Sequence, residues 1–109
     1  MRFLIDVEAK QEMREAALFY EAAREGLGQE FLNAIDKAFV EIQRRPKLWR
    51  RFRGRFRRFI LHRFPYAVVY ALGRDYIYVA AVMHMKRDPN YWVHRAARAD
   101  SLDQTEGES

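Results

Sequence analysis

The chain has 109 residues, half of them apolar and 15% aromatic, which suffices for one modest core and excludes a disordered protein or a two-domain one. It has no cysteine, so disulfides, thiol nucleophiles and thiolate metal sites are excluded, and no apolar run approaches the roughly 18 residues of a membrane span. The net charge of +5 is uneven: Asp100, Asp103, Glu106 and Glu108 give residues 100–109 a charge of −4, which leaves +9 on the body before them. The N-terminus reads as neither signal nor transit peptide, so a cytoplasmic protein is the default expectation.

Residues 2–6 (RFLID) form a short apolar run that ends in Asp6, a helix N-cap, with Glu8 in the first turn where the helix dipole favours a negative charge. From Val7 to Arg24 the apolar residues Met13, Ala16, Ala17, Tyr20 and Ala23 recur at helical spacing. Gly26 suits a left-handed cap between helices. Phe31, Ala34, Ile35, Ala38, Phe39 and Ile42 then line one face of a second helix, which Arg44 and Arg45 close and Pro46 stops. Two helices joined by about three residues predict an antiparallel hairpin.

The second half is aromatic and β-branched, and predicts strands at 56–64, 66–72 and 76–84, with Pro65 and Gly73-Arg74-Asp75 as breaks. Both faces of the last two strands are apolar, which predicts central positions. In the third, Ile77, Val79, Ala81 and Met83 alternate with Tyr76, Tyr78, Ala80 and Val82. Residues 90–98 predict a short helix, and the acidic remainder, 99–109, is expected to be a disordered tail. The order β-α-α-β-β-β-α specifies an α+β domain over residues 1–98, a helical hairpin packed on a mainly antiparallel sheet.

Residues 44–63 hold ten Lys or Arg and no acid, interleaved with Leu48, Trp49, Phe52, Phe56, Phe59, Ile60 and Leu61. Such a stretch folds against the core while holding a positive field outward, which suits a polyanion. Residues 44–55 read as a helix exit and connector whose charges face a partner. The candidate binding residues are Arg50, Arg51, Arg53, Arg55 and Arg57, with Lys86 and Trp92 near the chain's end.

Three motifs in order resemble the RelE/ParE superfamily of toxins from type II toxin–antitoxin modules: GLGQEFLNAI followed by RRP, then RFPYAVVY at 63–70, and HMKRDPNYWVHR at 84–95. The resemblance implies a RelE-like fold and a cognate acidic antitoxin that binds the toxin in a hetero-oligomer. It also implies one of two targets. RelE-like members cut mRNA on the ribosome, whereas ParE-like members poison DNA gyrase and cut nothing themselves. An inactive relative that only binds antitoxin is the third alternative.

A metal-free ribonuclease needs a base, cationic donors for the phosphorane and an acid within reach. The resemblance places Arg87 as a phosphate ligand and Tyr91 as the base-stacking ring, and aligns the family's second Arg with His62, one residue before Arg63; under the ribonuclease reading Arg58 or Arg63 is the second cation. His62 and His84 are the candidate bases because they titrate near neutrality. Each has a structural alternative: a hydrogen-bonded strand end for His84, an exposed sheet residue for His62, and core cover for Tyr91 and Trp92. No metal or cofactor is expected, since two scattered histidines without a carboxylate pair make no metal site. The long hairpin and the partial catalytic set favour the gyrase alternative.

Overall fold

A computed structural model describes residues 1–108, with side chains as far as residue 104. The elements are β1 (Arg2–Ile5), α1 (Val7–Ala23), α2 (Leu27–Arg44), β2 (Arg51–Arg53), β3 (Phe56–Ile60), β4 (Tyr66–Leu72), β5 (Tyr76–His84), a 3-10 turn (Val93–Arg95) and α3 (Ala96–Glu108). The five strands form one sheet in the order β1-β5-β4-β3-β2. It is mixed, because β1 runs parallel to β5 while the other pairs are antiparallel. The α+β class and the hairpin on the sheet are as the sequence predicts. The short edge strand β2 is additional, and falls inside the basic connector.

The hairpin is held at its turn by one carboxylate. Glu21 of α1 accepts the N–H groups of Gly26 and Gly28, at 2.9 and 3.0 Å, and so satisfies two donors at the start of α2. Gly26 takes the left-handed conformation, φ 87°. Gly28 allows the helices to touch: a Cβ there would lie 2.5 Å from the Ala17 carbonyl oxygen. Phe31, Ile35, Ala38, Phe39 and Ile42 then pack with Val68, Tyr70, Ile77, Val79 and Val82 on one face of the sheet.

The opposite face is also buried. Phe56, Val69, Ala71, Tyr76, Tyr78, Ala81 and Met83 pack against Trp92, Ala99 and the half-buried Leu102, so the segment after β5 folds back as a strap and makes a third layer. The residues after Arg98, expected to be disordered, are helical as far as Glu108. Within them Asp103 accepts from Arg55 and from the Tyr76 hydroxyl, both at 2.6 Å. The amphipathic cue is weak because, among the described side chains of this segment, Ala99 and Leu102 are the apolar ones packed on the sheet.

β5 departs from strict alternation. Val69 pairs with Ala81 but Tyr70 pairs with Val79, so Ala80 is an extra residue, a β-bulge. The bulge flips the faces: Ile77 and Val79 point to the helices, yet so does Val82, while Ala81 and Met83 join the strap side. β3 ends at Ile60, short of the expected 64. The amide of Leu61 donates to the Tyr66 carbonyl at 2.9 Å and closes the loop of residues 62–65 there.

Trp92 is 1% exposed and touches Phe52 and Phe56 with ring centroids 5.9 and 4.9 Å away. Trp92→Ala should therefore cost about 3–5 kcal/mol in urea unfolding, as for other buried aromatic truncations. A loss under about 1 kcal/mol would mean the strap is not part of the core.

Candidate functional site

β1 stops at Ile5, paired to Val79, so the rest of β5 lacks a neighbouring strand on that side. Its free backbone groups need partners. Arg95 donates to the Ala80 carbonyl at 2.8 Å, and Glu12 of α1 accepts the Val82 amide at 3.0 Å. The same two side chains bind one another through a two-pronged ion pair, both contacts 3.1 Å. They are 6% and 12% exposed. Together they stand where a continued β1 would have been.

Further charges gather round this pair. The Tyr91 hydroxyl donates to Glu12 at 2.6 Å, and Arg87 lies 3.6 Å from the same carboxylate with its guanidinium 3.6 Å above the Tyr91 ring. Glu8 sits 2.6 Å from Nε of Arg95, 3.3 Å from Nε2 of His94 and 3.5 Å from Arg98. Asp6 caps α1 by accepting the Glu8 amide at 2.8 Å, receives Arg98 on both oxygens at 2.8 Å, and accepts from the Tyr78 hydroxyl. Three acids from the start of the chain are thus bound by Arg87, His94, Arg95 and Arg98.

Burial and the bond to Glu12 push the Tyr91 phenol up, so it stays a neutral donor. Burial likewise pushes Asp6 up, but the hydrogen bonds from Tyr78 and Arg98 outweigh it and leave the carboxyl below its ordinary value. On β4, burial raises the Tyr70 phenol to about 12, and its hydroxyl donates to the Pro46 carbonyl at 2.6 Å.

The candidate ribonuclease residues are dispersed. Arg87 and His84 line a cleft of about 220 Å³ with Glu12, Glu15, Phe19 and Tyr66. Nδ1 of His84 accepts the Lys86 amide at 3.0 Å, which puts the neutral ring's proton on Nε2 and leaves no free lone pair for a base. The ring stands on Tyr66, 5.0 Å away, on the helix side of the sheet. Arg58 lies on the opposite side, 4.5 Å above Phe52. His62 is exposed in the β3–β4 loop, and Arg63 beside it pairs with Glu30 of α2 at 2.6 Å. Among the described residues, no group of three or more His, Asp or Glu is placed to hold a metal ion.

The candidate binding residues divide in two. Arg55 is tied to Asp103 and Tyr76, and Arg57 donates to the carbonyls of Lys47 and Trp49 at 3.1 and 2.7 Å, so both serve the fold. Trp92 is core and cannot offer its ring to a partner. Arg50, Arg51, Arg53 and Lys86 are exposed. The sequence reading missed Glu12, Arg95 and Arg98 as a cluster. The available signal was complementary charge, Asp6, Glu8 and Glu12 against Arg95 and Arg98, but over 80 residues separate the partners.

The ParE toxin model of the type II toxin–antitoxin system parDE matches residues 3–89. The chain belongs to this family. The match takes in the acids of α1 and Arg87, and ends before Arg95 and Arg98 of the strap. A chain of the chromosomal ParDE toxin–antitoxin system of P. aeruginosa has the same fold, with a TM-score of 0.61 at 11% identity, over 79% of this chain and 97% of that one. No curated protein matches in sequence. Among the described residues, no helix of this ParE-family chain is long and apolar enough to cross a membrane.

Asp6 also sets a pH dependence. Its folded value lies below that of an unfolded carboxyl, about 3.9, so it stabilises above that pH and the contribution is lost as pH falls through the folded value. Acid unfolding of Asp6→Asn should show a shallower loss of stability below about pH 4 than the unchanged chain. Identical acid limbs would show that Asp6 is not held in this way.

Proposed function

We propose that this ParE-family toxin is neutralised by a cognate acidic antitoxin and acts by engaging DNA gyrase, with no phosphodiester chemistry of its own. The observation that carries the reading is the placement of the candidate ribonuclease groups. Arg58 is on the far face of the sheet from His84, His62 and Arg63 are in a separate loop, and Arg87 is already engaged by Glu12 and Tyr91. Acid–base cleavage needs its groups converging within hydrogen-bond reach of one phosphate. Inhibition by binding does not.

The hairpin supports the same reading. Its helices run 17 and 18 residues, and α1 presents Leu18 and Phe19 to solvent at 65% and 70% exposure. A rigid, partly apolar surface of this kind suits a protein target or partner. The antitoxin would form a hetero-oligomer with the chain and meet its basic body through an acidic segment.

Two cell-free assays test the proposal: one for gyrase-dependent double-strand breaks in a supercoiled plasmid, the other for mRNA cleavage during translation. The expected result is trapped breaks with intact mRNA, relieved by the antitoxin. Cleaved mRNA without trapped breaks establishes the ribonuclease alternative, and silence in both assays establishes an inactive relative.

A further inference from the structure

The basic stretch is not uniform once its internal partners are assigned. Arg44 pairs with Glu41, Arg63 with Glu30 and Arg55 with Asp103, while Arg57 is spent on two carbonyls. Arg45, Lys47, Arg50, Arg51, Arg53 and Arg58 have no carboxylate partner among the described residues. Arg53 donates to the Asn90 side-chain oxygen at 2.7 Å and to the Phe52 carbonyl at 3.2 Å, neutral acceptors that hold its exposed guanidinium in place without cancelling its charge. These six follow the connector from α2 into β2 and across to β3. The Arg58 amide donates to the Arg50 carbonyl at 3.3 Å, and the guanidiniums of Arg53 and Arg58 lie 5.6 and 4.5 Å from the centre of one ring, Phe52. Among the described residues, Asp103 reaches Arg55 and none of these six cations.

We propose that this edge of the sheet, centred on Arg50, Arg53 and Arg58, is a binding surface for the phosphate backbone of duplex DNA. Six uncompensated cations along one edge supply the charge such a backbone requires, and guanidiniums pre-set by stacking lose little freedom on binding phosphate. The aromatic rings decide between duplex and single strand. Binding of single strands rests on free ring faces for the bases. Here Trp49 is packed on Phe59 at 4.7 Å, Phe52 is covered by Arg53 and Arg58 and lies against Trp92, and Trp92 is buried. The surface offers contacts to phosphate and no stacking platform. The inference rests on these uncompensated charges and stands apart from the gyrase reading.

The test is fluorescence anisotropy of a labelled random-sequence duplex titrated with the chain over a range of salt concentrations. Each phosphate neutralised contributes about −0.9 to the slope of log affinity against log salt. The triple variant Arg50→Gln/Arg53→Gln/Arg58→Gln should flatten that slope by about 2–3, while the triple Lys variant at the same positions keeps it. A charge-matched control, Arg14→Gln/Lys37→Gln/Arg74→Gln, should keep it as well. Three results would overturn the proposal: an unchanged slope in the Gln variant, a single strand bound as tightly as the duplex, or polyglutamate of matched charge bound as tightly as the duplex. Gyrase trapping is not read in this experiment, so its outcome is separable from that of the functional proposal.

Discussion

A single buried ion pair, Glu12 to Arg95, holds the two ends of the chain against an unfinished sheet edge. β1 is too short to cover β5, and the bulge at Ala80 re-aims what β5 exposes beyond it. Without Glu12 and Arg95, the Val82 N–H and Ala80 C=O would lose the side-chain partners that satisfy them. Each side chain satisfies one of these groups, and each neutralises the other. Desolvating a pair of charges is costly, and it is tolerable here because nearly every donor and acceptor in the cluster is used. The strap follows from this anchor: with Arg95 and Arg98 fixed on α1, Trp92 and α3 are carried onto the far face of the sheet.

The same logic sorts the chain's cations by role. Arg87, Arg95 and Arg98 answer the acids of α1, and Arg55 answers Asp103. Arg95 and Arg55 are held within the fold, whereas Arg87, more than half exposed and 3.6 Å from Glu12, stands at the rim of the cluster. Among the described residues, Arg45, Lys47, Arg50, Arg51, Arg53 and Arg58 have no such counterparts. The chain thus carries a run of six such cations along one edge of the sheet, while the helical hairpin presents the exposed apolar residues of α1. Binding to two kinds of partner can follow from that separation without a reaction centre.

Much of the fold was legible because local rules agree with the tertiary result. Both hairpin helices, β4 and β5 fall where periodicity, Gly26 and Gly73 place them. The failures have particular causes. Ala80 breaks the alternation of β5, and nothing in YIYVAAVMH distinguishes a bulge from an unbroken strand. β2 is three residues of a charged connector, stabilised by its neighbour β3 and not by its own propensity. The helix after Arg98 was hidden by an acidic composition that reads as solvated. At the site, Arg87 and Tyr91 were singled out by family motif, and they do meet. Their shared partner Glu12 looked like one more polar residue on a surface helix, because its role depends on a contact about 80 positions away.

The most direct measurement is a double-mutant cycle on Glu12→Met and Arg95→Met, read by urea unfolding. If the pair anchors the strap, either single change strands a buried charge and costs about 3–5 kcal/mol, and the double change costs well under the sum. Additive losses would contradict the account, since they would mean that Glu12 and Arg95 stabilise the protein independently and that their ion pair is not what anchors the strap.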